Sequence, residues 1–405
     1  MKFSLLLSFI LLISIFCLPA TCQVPLSSTL WTAYTLDSLI EKKRSQSGMV
    51  GLAAAIIIDN KVVWTKGYGY ADLKNKKPFT PNTIINIGSI SKTFTGVCMM
   101  KAVEDKKLSL DRDINDYLPF KVINPYYPAE KITLKNLATH TSGITDRTPI
   151  YDSTYFYGGD HPTPLGQFLK SYFDPEGKFY SKENFLNQKP GSFREYSNIA
   201  AGLAGYIVEL AAGMPLNEYS KQRIFKPLNM KNSGWLLSEI NLANHSKLYD
   251  KQTDTLKTIP LYGGATYPDG GVRTSVADLS KFFISMLGDG SYQGKRMLQK
   301  ISVETMERFQ FTPENKPENI ELKKLNSGLF WATKMNVTQI GHGGTDPGVK
   351  TEMLANLSKD VAVILFSNTT LTDKDLFKYY FGIYQDLWTY GLALKAAKQN
   401  HKRNK

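Results

Sequence analysis

Apolar residues at Leu30, Tyr34, Leu36, Leu39 and Ile40 fall on one face of a helical wheel, and the pattern stops at Gly48, a residue suited to ending a helix. The continuous apolar run from Ala53 to Ile58 predicts a strand covered on both faces. A second run from Val62 to Tyr68 follows after Asp59-Asn60, two residues that tolerate positive φ, so a two-residue hairpin is expected. From about residue 80 to 325, helical patterns such as residues 199–212 alternate with loops rich in Gly, Pro and Tyr. Strand patterns return at residues 329–332, 351–355 and 361–366. A last helix is predicted from Thr372, capped by its hydroxyl with Asp375 three residues on, and Leu376, Tyr380, Ile383 and Leu387 share its apolar face. Strands at both ends with helices between them predict one α/β unit: a sheet built from both termini, flanked by helices, with a mostly helical region inserted.

The first residues follow a different pattern. Met1-Lys2 supplies a charged start, Leu5 to Leu18 is apolar, and Ala20-Thr21-Cys22 places small residues at both key cleavage positions. This reads as a secretory signal peptide, residues 1–22, too short for a membrane span. Phe16 and Pro19 spoil a lipoprotein box at Cys17 or Cys22. The expected organisation is therefore a catalytic unit over residues 23–394, its α/β part about 28–80 plus 325–394 and its helical part about 81–324, followed by a basic tail at 395–405 without fixed structure. The expected location is secreted or periplasmic, with no integral membrane anchor once the leader is removed.

Composition changes this picture little. With 42% hydrophobic and 21% charged residues among 405, the chain can bury a large core. The net charge of +13 invites a nucleic-acid or membrane reading. Five of those cations, however, are Lys395, Lys398, Lys402, Arg403 and Lys405 in the tail, and the remainder form no basic stripe interleaved with aromatics. Nucleic acid is excluded as a partner on that ground, and contact with an anionic cell envelope is the most the charge favours. Of three cysteines, two leave with the leader, so Cys98 remains without a disulfide partner. No metal-ligand spacing exists among His140, His161, His245, His342 and His401, and no cofactor motif is present.

Three short segments carry candidate chemistry. Ser89-Ile90-Ser91-Lys92 follows Gly88 and opens a helical pattern, so Ser89 and Lys92 share one helix face. A serine there also aims its own N–H at a bound oxyanion, although a helix cap alone would account for Ser89. Tyr196-Ser197-Asn198 follows Pro190-Gly191 on a loop before a helix. A phenol becomes a useful base only beside a cation, and a turn residue followed by a cap is the plainer reading. Gly341-His342-Gly343-Gly344-Thr345 is a glycine-rich strand edge that lets a ligand approach the backbone; a single His on a strand is more often structural.

The order of the three, separated by about 107 and about 146 residues, resembles the class C beta-lactamase-like serine hydrolases, which include D-alanyl-D-alanine carboxypeptidases, D-aminopeptidases and esterases. Gly67-Tyr68-Gly69, Thr139-His140-Thr141-Ser142-Gly143-Ile144, Lys189-Pro190-Gly191 and Gly270-Gly271-Val272-Arg273-Thr274-Ser275 resemble the family too, over about residues 30 to 390. The resemblance implies a beta-lactamase/transpeptidase-like fold. It implies Ser89 as acyl-accepting nucleophile, and Lys92 as its partner, depressing the Tyr196 pKa. Tyr196 would be the general base and later acid, and Asn198 would bind the acyl side of the substrate. His342, Gly343, Gly344 and Thr345 would line the substrate strand, with the N–H groups of Ser89 and Thr345 forming the oxyanion hole.

One position departs from the beta-lactamase pattern, where Lys-Thr-Gly usually stands in place of His342-Gly343-Gly344. A histidine is mostly neutral at pH 7, which argues against efficient beta-lactam hydrolysis. The expected activity is an exported serine hydrolase of D-alanyl-D-alanine carboxypeptidase or D-peptidase type. The alternatives are a carboxylesterase, a weak beta-lactamase, or a non-catalytic peptide- or cell-wall-binding protein. The partner in each case is a small molecule or peptide. The aromatic segment 151–159 either walls the pocket or docks on the helical region, and His140 is expected to be structural.

Overall fold

The structure, a computed structural model, describes residues 32–252 and 254–403. The expected leader lies outside the described residues. Asp59 and Asn60 have φ of 49° and 60°, so the expected hairpin turn forms between the strands Gly51–Ile58 and Lys61–Asp72. These strands join a seven-stranded antiparallel sheet whose spatial order is Ala332–Lys334, Gln339–Asp346, Val349–Asn356, Val361–Ser367, Gly51–Ile58, Lys61–Asp72 and Lys77–Pro78. Both ends of the chain therefore build one sheet.

The two central strands are buried on both faces, as an unbroken apolar run requires. Ala53, Ala55 and Ile57, with Ala362, Ile364 and Phe366, face the larger core shared with the helical region. Leu52, Ala54, Ile56 and Ile58, with Val363 and Leu365, face a smaller core under the terminal helices Ala33–Ser47 and Lys374–Arg403. Leu36 and Ile40 enter that core, whereas Tyr34 is 81% exposed and does not belong to the apolar face.

The inserted region is less helical than its pattern suggests. It carries short strands at Leu248–Lys251, Leu256–Ile259 and Tyr262–Gly264, and Thr369–Leu371 pairs with the first of these in parallel. Its central helix, Ser91–Glu104, is buried along most of its length and carries Cys98, whose thiol burial pushes up, away from reactivity. It packs beside the helix Asn198–Ala212.

The chain's end needs a correction. The tail expected to lack structure is helical through Arg403, because Lys395 pairs with Asp59 and Asp360 and Lys398 with Asp59, anchoring the last turns to the hairpin. The helix also starts at Lys374, not Thr372, and Asp373 takes the capping role by accepting from Asp375 N at 2.7 Å.

Candidate active site

The Ser89 turn is held in place by segments distant in sequence. Ile85–Asn86 pairs with Arg273–Thr274, Ile87 N donates to Val272 O at 3.0 Å, and Val272 N donates to Ser91 Oγ at 2.9 Å. Gly88 adopts φ +54°, a left-handed conformation glycine takes without strain, and Ser89 follows it in a 3₁₀ turn, Gly88–Ile90, that runs into the Ser91–Glu104 helix. Ser89 is half-buried while Lys92, one turn on, is 0% exposed.

The Lys92 ammonium donates to three oxygens: Ser89 Oγ at 3.2 Å, Asn198 Oδ1 at 2.6 Å and the Asp269 carbonyl at 2.9 Å. It also stands 4.9 Å from the Tyr196 ring centroid. Burial works against its charge, but Tyr196 and Asp269 outweigh that and hold its pKa above the usual lysine value. Ser89, Lys92, Tyr196 and Asn198 thus meet in one place, across 106 residues of chain between Lys92 and Asn198.

The glycine strand passes beside this group. The strand Ala332–Lys334 pairs only with Gln339 to Gly341, so the other half of Gln339–Asp346 presents a free edge on that side to the Ser89 turn. A Cβ built on Gly88 would stand 3.1 Å from Thr345 N, and one on Gly344 would come within 2.1 Å of Ile87 O. Contact this close admits only glycine at position 344. The side chains of this strand divide between two faces. His342 turns its ring to within 6.4 Å of the Tyr196 ring centroid. Gly343 faces Glu352 on the far side, and Thr345 Oγ1 accepts from Lys350 at 3.0 Å. Thr345 meets the turn at Gly88 with its backbone N.

His342 is neutral for a stronger reason than its ordinary pKa. Burial and then the Lys92 charge push it down to about 3, while its Nδ1 stays 2.7 Å from Gly343 O. His140 is buried against the Tyr196 ring, centroids 4.3 Å apart, and its Nδ1 accepts from Ser197 N at 3.3 Å. Burial, followed by the Arg194 and Lys92 charges, keeps it far below the usual histidine pKa, so it remains an acceptor. His140 sits at φ +59°, and Glu195 N donates to its carbonyl at 2.9 Å. The expected structural histidine is a support for the tyrosine.

Sequence reading passed over three acids and an arginine here. Asp146 accepts from Ser197 Oγ at 2.8 Å, Asn198 N at 2.7 Å and Ile199 N at 2.9 Å, capping the helix that begins beside Tyr196. Asp269 and Asp346 lie in an adjoining cleft of about 300 Å³. Tyr151 OH donates to Asp269 Oδ1 at 3.3 Å and Tyr155 OH to Asp346 Oδ1 at 3.0 Å, so the aromatic segment docks on the helical region and lines this adjoining cleft. Burial pushes Asp269 up to about 7 and Asp346 up to about 6, opposed by Lys92 in the first case and Tyr155 in the second. Arg194 is two residues before Tyr196. Asp146 and Asp346 carry no local signal, because their partners lie dozens of residues away.

Solved structures share this arrangement of sheet and helices at low identity. A penicillin-binding protein homologue from Pyrococcus abyssi, described as octameric, superposes with a TM-score of 0.70 at 24% identity, over 90% of this chain and 78% of that one. The D-amino acid amidase of Ochrobactrum anthropi gives 0.69 at 22% identity, over 90% and 99%. The D-alanine carboxypeptidase AmpC of Burkholderia cenocepacia gives 0.65 at 20%, over 87% and 99%. In sequence, "Protein flp" of Staphylococcus aureus is 23% identical over 340 residues, 82% of this chain, and a beta-lactamase of Pseudomonas fluorescens is 29% identical over 246 residues, 60% of this chain. The match spans 62% of the length of each of these curated relatives. The Beta-lactamase family model matches residues 36–382, the stretch that holds the sheet, the Ser89 turn and the glycine strand. By that match and by its beta-lactamase/transpeptidase-like fold, the chain belongs to the Beta-lactamase family.

Proposed function

We propose that this protein is a serine hydrolase that cleaves an amide or ester through an acyl-enzyme on Ser89, acting on D-peptides in the manner of a carboxypeptidase. The observation that carries the reading is the contact of a fully buried, charged Lys92 with a half-exposed Ser89 Oγ at 3.2 Å, beneath the Tyr196 ring. A buried ammonium so placed is costly unless it serves a neighbour.

Ser89 Oγ attacks the substrate carbonyl while Tyr196 Oη takes its proton. The Lys92 ammonium stabilises the phenolate form of Tyr196 that accepts this proton and that forms again when the proton is passed on. The carbonyl oxygen becomes an oxyanion and receives the N–H groups of Ser89 and Thr345, each such donor contributing about 10²–10³-fold. As the C–N or C–O bond breaks, Tyr196 returns the proton to the leaving group. Water, activated by the same tyrosine, then releases the acid. Asn198 spends Oδ1 on Lys92, which leaves its amide N–H₂ to donate to a carbonyl on the acyl side. Export rests on the pattern from Met1 to Cys22 and is tested by N-terminal sequencing of secreted protein.

The named solved structures include an amidase and a carboxypeptidase acting on D-amino-acid compounds, which supports the D-peptide reading over a simple esterase. The test is labelling by a fluorophosphonate together with release of D-alanine from an N-acyl-D-alanyl-D-alanine peptide. Ser89→Ala should abolish both, and Tyr196→Phe should remove most turnover with the fold kept. Wild type that takes no label would sink the hydrolase reading, and label without D-alanine release would leave an esterase.

A further inference from the structure

The two oxyanion donors of the mechanism above stand on separate pieces of backbone, the Ser89 turn and the free half of the strand Gln339–Asp346. Two such N–H groups act together only if the gap between the pieces is fixed closely. One tie is plain: Thr351 Oγ1, on the neighbouring strand Val349–Asn356, donates to Ile87 O at 2.9 Å. A single point of contact lets the strand swing about it, and the end that carries Thr345 needs another.

Tyr262 supplies it. Its hydroxyl donates to Pro347 O at 3.0 Å, in the turn after the strand, where a carbonyl lies outside the ladder. The same oxygen accepts from Asn86 Nδ2 at 3.5 Å, and Asn86 Oδ1 accepts from Gly88 N at 2.6 Å, one residue before Ser89. The direction of each bond in this chain is fixed. A backbone N–H can only donate, so the amide oxygen faces Gly88 and the amide N–H₂ faces the phenol. The phenol, having accepted, gives its proton to Pro347. Burial holds it far above the ordinary tyrosine pKa, so that proton stays in place.

The ring and backbone of Tyr262 are held without the hydroxyl. The rings of Tyr155 and Tyr157 meet it edge-on, with centroids 5.4 Å and 5.5 Å away, and its carbonyl accepts from the Arg273 guanidinium. Tyr262 and Asn86 are both buried, so water does not replace either partner. We propose that Tyr262 is a positioning residue for acylation: acting through Asn86 and Pro347, its hydroxyl fixes the spacing between the Ser89 and Thr345 N–H groups. The inference rests on the serine-hydrolase reading above.

The test is Tyr262→Phe, which deletes one oxygen and keeps the ring. The pre-steady-state acylation rate on a nitrophenyl ester should fall about tenfold, with substrate affinity within about twofold of wild type. Inhibition by a phenylboronic acid, whose tetrahedral adduct on serine puts an oxygen where the oxyanion forms, should weaken by the same factor. Asn86→Ser keeps an oxygen for Gly88 N but is too short to reach Tyr262, and should cost as much. With both substitutions the loss should be no larger than with one, because they cut the same chain. Asn86→Ser also carries the test should Tyr262→Phe fail to fold, and complete fluorophosphonate labelling at long times counts the folded sites in each preparation. Acylation as fast as in wild type, boronate affinity unchanged while acylation falls, or losses that multiply in the double variant would each overturn the inference and leave the hydrolase reading intact. Wild type that takes no label overturns both.

Discussion

Removing the Asp146 carboxylate tests how the tyrosine loop is held. One oxygen accepts from Ser197 Oγ and Ile199 N and the other from Asn198 N, so a single side chain satisfies two N–H groups at the start of the Asn198–Ala212 helix. Hydrogen bonds to a charged acceptor contribute roughly 1.5–3 kcal/mol each, and a lost cap costs about 1 kcal/mol. Asp146 is half-buried, so water recovers part of the loss, and Asp146→Ala should cost about 3 kcal/mol. With an unfolding entropy of about 2.1 cal/mol/K per residue over roughly 370 residues, that lowers Tm by about 4 °C. Asp146→Asn keeps one acceptor and should cost about half as much. The protein remains folded at 25 °C, yet Tyr196 is joined directly to the released Ser197. A shift of about 1 Å in a reacting group can cost 10²-fold, so kcat/KM on a nitrophenyl ester should fall at least tenfold. Calorimetric melting and initial rates on the same preparation decide the matter. If Asp146→Ala melts within 1 °C of wild type and turns over within twofold of it, the cap has no part in holding Tyr196.

Three further outcomes are expected. Asp269, raised in the fold to about 7 from 3.8, holds a proton that the unfolded chain has lost, so its contribution is complete below about pH 4 and is lost as pH rises through 7. Asp269→Asn should therefore remove up to about 1.4 kcal/mol per pH unit of this decline, and urea titrations at pH 5 and pH 8 that change in parallel with wild type would contradict it. Gly344→Ala puts a methyl group 2.1 Å from Ile87 O and 2.5 Å from Thr351 Oγ1, so the strand must move away from Ser89 and acylation should slow at least tenfold. A labelling rate equal to wild type would refute the placement of that strand. Lys395→Ala breaks partly exposed pairs with Asp59 and Asp360, and should cost less than about 1 kcal/mol, an effect that vanishes at high salt; melting curves at two salt concentrations measure it.

Much of this architecture is legible in the chain alone, wherever the cause is local. Asp59-Asn60 turns the chain because both residues accept positive φ. Residues 53–58 are apolar on both sides because both faces of that strand are covered. Ser89 and Lys92 share a helix face because a turn repeats every 3.6 residues. The covered outer faces of the sheet, by contrast, do not announce which helix residues reach them, and Tyr34 fits the periodic pattern yet faces water. The tail looked unstructured because its charges have no local partners; they find Asp59 and Asp360 more than 30 residues away.

The chain by itself determined the sheet from two termini, the hairpin, the helices and the three segments that meet at Ser89. Only the tertiary structure decided the electrostatics of that meeting point. Position 342 could be read as histidine, but its neutrality follows from burial beside Lys92. Asp146, Arg194 and Asp269 gained their places from partners that packing alone brings near. Helix and strand periodicity arise from backbone geometry over a few residues, whereas desolvation and Coulomb interaction depend on which distant groups share a low-dielectric space.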